Sequence, residues 1–227
     1  AYTIVDAIHD GNVLPFRIDY INTIKNPEIL YDKQVKAIDR EKALLDPKRV
    51  SEITQYILEH FEQKTYRNQS RSYYDHKVIT NVEKMAKSKN NTVTEQKATV
   101  KVNGFNSIFA VASIPAAIAY YNEFKKQMEE TGHKLNIATI FSFNPNEEDP
   151  DDILQDENFD TSGLDRTSRD FLDSAIDDYN KLFNVSYDTS ADKFPNYYKD
   201  VSLRMKNREI DLLIVVNMFL TGFDATT

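Results

Sequence analysis

Three stretches of the chain are almost continuously apolar and lack the polar residue at every second position that marks a half-exposed strand. They are residues 105–113 (FNSIFAVAS), 135–141 (LNIATIF) and 210–217 (IDLLIVVN). Apolar runs of this length are typical of strands that are buried on both faces of a parallel sheet. We therefore predict three buried, parallel β-strands.

Helical periodicity follows the first of these runs. Apolar residues recur there at spacings of 4, 3 and 4 positions, namely at Ala117, Tyr121, Phe124 and Met128. Pro115 suits the first turn of such a helix, and Gly132 suits its end. The pattern therefore predicts an amphipathic helix that connects the first two strands.

Two further helices are predicted between the second and third strands. The first has a capping signal, Thr167 followed by Asp170, and one broad apolar face: Phe171, Leu172, Ala175, Ile176, Tyr179, Leu182 and Phe183. The second covers residues 197–209 and leads into the last strand. The resulting order of strand, helix, strand, two helices and strand is expected of an open α/β sheet with right-handed crossovers.

The first part of the chain has a different character. The sequence of residues 3–22 predicts short strands that are joined at a turn over Asp10, Gly11 and Asn12. A helix is predicted from Pro47, with Asp46 as its cap, and some helix is expected over residues 72–87. We therefore predict an N-terminal extension of strands and helices over residues 1–103, followed by an α/β domain over residues 104–227.

Composition and charge narrow the function classes. The chain of 227 residues has no cysteine and carries a net charge of -8. Its start lacks the features of a signal peptide, and its apolar runs are about half the ~20 residues that span a bilayer, so we expect a soluble, cytoplasmic protein without membrane contact. Residues 144–160 hold eight acidic residues and no basic one, which leaves the remainder neutral.

One segment is locally basic. Residues 64–101 contain nine lysines and arginines against three acidic residues, an excess of +6. Such a stretch could lie along the phosphates of a nucleic acid. The alternative is a solvated helical face, and the sequence leaves both interpretations open.

Signals of a self-sufficient catalytic site are missing from the sequence. The five glycines stand alone, so there is no phosphate-binding P-loop, and the four histidines show no metal-binding spacing. We therefore predict no catalytic residue and no metal site that would function within this segment alone.

Polar residues follow two of the predicted strands. Ser113 comes after the first strand and before a helix, whose free N–H groups and positive dipole end suit a phosphate. Thr221, Gly222 and Asp224 follow the last strand, where a close backbone approach, a hydroxyl and a carboxylate could meet a ligand. An ordinary helix N-cap at Ser113 and an ordinary turn at Thr221 and Gly222 remain open alternatives.

Several of these stretches carry a family resemblance. The sequences GFNSIFAVASIPAAIAYYNEFKK, LNIATIFSFNPNEE and REIDLLIVVNMFLTGFDA resemble the second RecA-like domain of the motor (R) subunit of type I restriction–modification enzymes, and YTIVDAIHDGNVLPFRIDY resembles the entry into that domain. The resemblance extends over nearly the whole chain. It implies a RecA-like, P-loop NTPase-type parallel sheet flanked by helices, within a superfamily 2 DNA translocase.

The resemblance also implies roles for individual residues. TGFDA would be the fifth helicase motif, in which Thr221 and Gly222 contact the DNA backbone or link it to the ATP cleft, and Gly222 and Asp224 lie on the nucleotide side. Ser113 and Ile114 would belong to the fourth motif, which contacts phosphates. Arg204 is a further candidate for phosphate contact.

Cofactors and partners follow from the same resemblance. The complete subunit would use ATP and Mg²⁺ to translocate double-stranded DNA and would cleave DNA with a nuclease domain. Its partners would be the methyltransferase and specificity subunits, and this domain would close on the first RecA-like domain. The segment departs from the family pattern at Thr226, where proline is common, and lacks the P-loop and the sixth motif, so we expect it to be inactive alone and to bind no cofactor tightly.

Two other functions remain possible from the sequence. The chain could be a non-catalytic α/β module that binds a protein through its acidic run at residues 144–160. It could also be the motor domain of another superfamily 2 DNA remodeller, which would need an adjoining P-loop domain but no nuclease or methyltransferase partners.

Overall fold

The structure is a computed structural model that describes residues 3–12, 18–21, 44–68, 73–88, 92–141 and 166–216. The chain divides into two compact units, residues 1–39 and residues 40–227. The acidic run and the TGFDA sequence lie outside the described residues.

The described part of the first unit contains a short helix where we predicted strands. Helix α1 spans Ile4–His9 and begins with a capping box, in which the Asp6 amide donates to the Thr3 hydroxyl and the Asp6 carboxylate accepts from the Thr3 amide. The pKa of Asp6 is lowered by the two hydrogen bonds that its carboxylate accepts, first the one from the Thr3 amide and then the one from the Thr3 hydroxyl. The strand prediction was wrong here because the reciprocal cap favours a helix over the β-forming tendency of the segment. The predicted turn at Asp10 and Gly11 is present, and it ends this helix.

A helix that the sequence predicted lies near the start of the second unit. Helix α2 spans Pro47–Lys64, and the side chain of Asp46 accepts a hydrogen bond from the Arg49 amide at 3.0 Å. Pro47 occupies the first position, where its missing N–H is not needed. The buried residues of this helix lie on one face: Val50, Thr54, Leu58 and Phe61.

A two-stranded hairpin follows, with a helical turn between its strands. Strand β1 spans Tyr73–Ile79, helix α3 spans Val82–Lys87, and strand β2 spans Lys97–Asn103 and pairs antiparallel with β1. The helix predicted over residues 72–87 is therefore confirmed only for its last part. The first part forms a strand because it pairs with residues 18 to 30 positions later, which local periodicity does not reveal.

The remaining strands and helices alternate as predicted. They are β3 (Ser107–Val111), α4 (Ile114–Thr131), β4 (Ile137–Ile140), α5 (Arg166–Phe183), α6 (Phe194–Lys206) and β5 (Leu212–Val216). The three strands form a parallel sheet in the order β3-β5-β4. The last strand is therefore central, and all five of its residues are buried. The predicted α/β class, with a parallel sheet and flanking helices, is confirmed, and the order is compatible with a RecA-like fold.

The boundaries predicted for α4 agree with the structure, and the cap predicted for α5 does not. Gly132 ends α4 in the left-handed conformation, with φ of +76°, and Ser113 precedes its first residue. Helix α5 spans Arg166–Phe183, so Thr167 lies inside the helix and the cap predicted at Thr167 is wrong. A threonine and an acid three residues apart also occur within helices, where they mark no boundary.

One hydrophobic core joins these elements. Buried residues of α4, α5, α6 and the sheet form a single cluster that also includes Val50, Leu58 and Phe61 of α2. The Tyr197 hydroxyl crosses this core to donate to the Thr139 carbonyl at 2.7 Å. Helix α2 thus packs against α4 and shares the core of the α/β domain, although it lies in the predicted extension, and the boundary near residue 103 stays a prediction. Among the described helices, none is long and apolar enough to cross a membrane.

Gly104 lies between β2 and β3 and tests how closely this connection packs against the end of α2. Its φ is +60°, and a Cβ atom there would lie 2.4 Å from the Thr65 carbonyl oxygen. Gly132, with φ of +76° and no atom within 4 Å of its Cβ position, is a matched control. We expect Gly132→Ala to lower the free energy of unfolding by about 1 kcal/mol through backbone strain, and Gly104→Ala by about 1–3 kcal/mol more through steric overlap.

The measurement is urea unfolding of the two variants and the wild type, followed by circular dichroism. Equal losses for the two glycine variants would contradict the close contact between Gly104 and the end of α2.

Candidate nucleic-acid interface

The carboxyl ends of β3 and β5 lie at the same edge of the sheet. The strands are parallel, and Val111 at the end of β3 is paired with Val216 at the end of β5. Ser113 follows two residues after Val111, so it lies at the edge where the chain leaves β5. Thr221, Gly222 and Asp224 fall outside the described residues, and their positions stay predictions.

Ser113 is the N-cap of α4. Its backbone is extended, and its hydroxyl oxygen accepts a hydrogen bond from the Ala116 amide at 3.3 Å. The N-cap interpretation is thus confirmed. The Ser113 hydroxyl keeps its own hydrogen for a phosphate, because a hydroxyl that accepts one hydrogen bond can still donate.

The first turn of α4 has few groups left to bind an anion. Pro115 has no N–H, the Ala116 amide is bonded to Ser113 Oγ, and the Ala117 amide donates to the Ser113 carbonyl at 3.0 Å. The donors of this turn are therefore the Ser113 hydroxyl and the amide of Ile114. The Ile114 side chain packs against the hydrophobic core, so only its backbone could contact a phosphate.

Arg204 lies at the opposite end of the strands. It is in the last turn of α6, and its guanidinium forms ion pairs with Asp200, at 2.6 Å, and with Glu209. The Glu209 carbonyl accepts from the side chain of Asn136, the residue before β4, which places this group at the amino edge of the sheet. The structure therefore does not bring Arg204 together with Ser113.

The polar network around Arg204 is buried. Asp200 is 0% exposed and accepts hydrogen bonds from the hydroxyls of Tyr179, at 2.6 Å, and Tyr187, at 3.0 Å, in addition to its ion pair. Burial, followed by the charge of Asp200, raises the pKa of both tyrosines, so both remain neutral donors. Sequence reasoning missed this network, although Asp200 and Arg204 have the i, i+4 spacing of a helical ion pair.

Arg204 is held on three sides. Its guanidinium carbon lies 4.3 Å from the centre of the Phe183 ring, in a cation–π contact, and its side chain is only 12% exposed. Desolvation is the largest effect on the pKa of Arg204 and lowers it, but the carboxylates of Asp200 and Glu209 outweigh desolvation and raise the pKa. These contacts favour a structural role for Arg204, and its contact with DNA phosphates stays a prediction.

The described residues provide no metal centre, since they contain no group of three or more histidine, aspartate or glutamate side chains placed to hold an ion.

His76 has a structural role. Its Nε2 atom lies 2.7 Å from the Lys206 carbonyl oxygen, which can only accept a hydrogen bond, so Nε2 carries the hydrogen.

Comparison with known proteins supplies the context of this fold. The family model described as type I restriction enzyme subunit R domain 3 matches residues 103–227. The chain is 38% identical over 228 residues to the endonuclease subunit of a type I restriction enzyme from Staphylococcus aureus strain COL, covering 99% of this chain and 20% of that relative. It is 36% identical, with the same coverage, to the endonuclease subunit of a type I restriction enzyme from Staphylococcus saprophyticus.

A shorter relative covers part of the chain. Over 39 residues, 17% of this chain, the identity is 56% to a Mycoplasma pneumoniae protein named as the middle part of a type I restriction enzyme endonuclease subunit. The match covers 34% of that relative. The chain thus spans 20% of the length of the two staphylococcal relatives and about a third of this one.

The buried ion pair generates a stability prediction. Arg204→Met removes the counter-ion of a buried carboxylate, and we expect it to lower the free energy of unfolding by about 3–5 kcal/mol. Arg166→Met is the matched control, because Arg166 forms an ion pair with Asp170 but its side chain is 95% exposed, and it should lose less than about 1 kcal/mol.

Chemical denaturation of both variants measures the difference. The double variant Asp200→Asn/Arg204→Met should recover most of the loss, since no buried charge then remains unpaired. Similar stability of Arg204→Met and Arg166→Met would show that the Asp200 network does not hold the fold.

Proposed function

This chain belongs to the family of type I restriction enzyme R subunits, and we propose that it forms the second RecA-like motor domain of an ATP-dependent subunit that translocates and cleaves DNA. The observation that carries this proposal is the common carboxyl edge of β3 and β5. Ser113 lies at that edge, and the TGFDA sequence continues the chain beyond β5. Ligands of open parallel sheets bind beyond the carboxyl ends of the strands.

The DNA side of the proposed site has two parts. The Ser113 hydroxyl and the Ile114 amide would each donate a hydrogen bond to a backbone phosphate, at the positive end of the helix dipole of α4. Thr221 and Gly222 would contact the same DNA strand from the neighbouring strand end. Such contacts go to the phosphate backbone, carry no sequence information and so suit a motor that moves along any sequence.

The nucleotide side would be completed by another domain. Gly222 and Asp224 would face ATP in a cleft shared with the first RecA-like domain, whose P-loop would hold the phosphates. By the same family resemblance, we assign the metal ion to that other domain as well. Bound ATP and Mg²⁺ would supply phosphoryl transfer, and this domain would close the cleft around them.

The partners of the complete subunit are part of the proposal. The staphylococcal relatives are named as endonuclease subunits of type I restriction enzymes, and the chain spans 20% of their length. We propose that the remaining length supplies the first motor domain and the nuclease, and that the subunit assembles with methyltransferase and specificity subunits on double-stranded DNA. The family match favours this function over another superfamily 2 remodeller.

The proposed phosphate contact of Ser113 can be separated from its capping role. Aspartate and asparagine are N-caps as good as serine, so Ser113→Asp and Ser113→Asn should both leave the melting temperature of the subunit unchanged. Ser113→Asp, however, places a negative charge against the phosphate, and we expect it to weaken duplex binding by about tenfold or more, whereas Ser113→Asn should remain within about threefold of wild type.

Duplex binding and DNA-stimulated ATP hydrolysis of the complete subunit are the measurements. The same affinity for both variants would remove Ser113 from the DNA interface and leave it as a helix cap only.

Substitution of Asp224 tests the proposed contact with ATP. In the complete subunit, Asp224→Ala should lower ATP hydrolysis and translocation by about tenfold or more, which corresponds to at least ~1.4 kcal/mol of barrier height. Assembly with the partner subunits, measured by size-exclusion chromatography, should be unchanged. Asp177→Ala, on the exposed face of α5, is the matched control and should retain wild-type rates. Wild-type turnover by Asp224→Ala would refute the assignment to the ATP cleft.

A further inference from the structure

The hairpin of β1 and β2 has one face that is open to solvent. Alternate residues of the two strands share this outer face, which we define by Tyr73, Asp75, Lys77, Lys97, Thr99 and Lys101. All six are exposed. Asp75 is paired with Lys101 and Lys77 with Thr99 in the register of the strands, so these side chains form two adjacent rows.

The other face of the hairpin fixes it to the sheet. His76 is 3% exposed and bonds to the Lys206 carbonyl, at the end of α6. The side chain of Asn207, also buried, donates to the Ile79 carbonyl and accepts from the Ile79 amide, both at 2.8 Å. These contacts hold β1 against the turn between α6 and β5, and β2 is held through its pairing with β1, so the outer face is presented in a fixed orientation.

The outer face is positively charged within an acidic chain. Its three lysines and one aspartate give a local charge of +2, whereas the whole chain carries -8. Lys101 lies 3.9 Å from Asp75, and Lys97 lies 2.8 Å from Glu95, with side chains between 43% and 72% exposed. Ion pairs as exposed as these contribute about 0–1 kcal/mol, so a stronger anion can replace the carboxylates.

The composition of this face fits nucleic acid better than protein. Protein interfaces are depleted of lysine and are built around buried aromatic and apolar anchors. The outer face has one large aromatic side chain, Tyr73 at one end, and otherwise offers ammonium and hydroxyl donors. Lys97, Thr99 and Lys101 follow one another at alternate positions of β2 and span about 13 Å, close to the axial rise of four nucleotides in one DNA strand.

We propose that the outer face of the hairpin binds the phosphate backbone of duplex DNA, as a contact separate from the carboxyl edge of the sheet. This inference rests on the proposed function, because it assumes that the subunit holds duplex DNA. Lysine and threonine bind phosphates without reading bases in this arrangement, so the contact is independent of sequence. It would strengthen DNA binding by the subunit, whereas the DNA contacts at the carboxyl edge would respond to the state of the ATP cleft.

The test measures the salt dependence of DNA binding by the complete subunit. The hairpin variant is Lys77→Gln/Lys97→Gln/Lys101→Gln, and its control is Lys48→Gln/Lys126→Gln/Lys181→Gln. The control lysines have side chains that are 83%, 61% and 78% exposed and lie on α2, α4 and α5. Both variants lose three exposed positive charges, so any effect of net charge alone is the same in both.

The probe is a 30-base-pair duplex without a recognition sequence, titrated between 50 and 200 mM salt. Each phosphate contact contributes about 0.9 to the slope of log K against log salt concentration, so the hairpin variant should lose about two to three units of slope and the control none. Both variants should retain the wild-type melting temperature, because the substituted side chains are exposed.

Three outcomes would overturn the inference. If the wild-type subunit binds duplex DNA in a salt-dependent way but the hairpin and control variants have equal slopes, the outer face is a solvated surface and only the hairpin contact fails. An unchanged slope with weaker assembly into the methyltransferase complex would show a protein contact. If the wild-type subunit shows no salt-dependent duplex binding, the proposed function fails together with the hairpin contact.

Discussion

The central position of β5 is the constraint on which the rest of the structure depends. This strand pairs with β3 on one side and β4 on the other, and all five of its residues are buried. A strand in this position needs a helix on each face and a parallel neighbour at each edge, and α4, α5 and α6 meet the first requirement. Because β3 and β5 are parallel neighbours, Ser113 and the continuation of β5 begin at the same edge. The proposed DNA and nucleotide contacts both follow from this one pairing.

The two edges of the sheet divide the polar chemistry of the domain. At the amino edge, Arg204, Asp200 and Glu209 satisfy one another, and Asn207 fastens the hairpin to the turn before β5. At the carboxyl edge, the donors of the first turn of α4 are the Ser113 hydroxyl and the Ile114 amide. Buried, saturated polar groups fix the position of elements, whereas partly exposed donors are available to a ligand. This division explains why a positively charged residue such as Arg204 is a weaker candidate for DNA contact than an uncharged serine.

Local patterns predicted the part of the fold that local forces determine. The three apolar runs, the cap at Asp46 and the end of α4 at Gly132 could be predicted from the sequence, because apolar patterns and helix caps are formed by residues close together in the chain. The hairpin strand β1 was not, since its identity depends on pairing with β2. The strand order was also hidden, because it depends on which strand finds two neighbours. The burial of Asp200 could not be predicted, since spacing identifies an ion pair but not its solvent exposure.

Net charge says little about whether this domain can hold DNA. At 0.1 M salt, charges act over about 10 Å, so a phosphate responds to the side chains beside it and only weakly to the sum over the chain. The eight acidic residues of residues 144–160 account for the whole net charge of -8, while the outer face of the hairpin has three lysines and one acid. A chain with this distribution can repel DNA from one segment and attract it at another. Such segregation restricts where a duplex can lie on the domain, which a uniformly basic surface would not do.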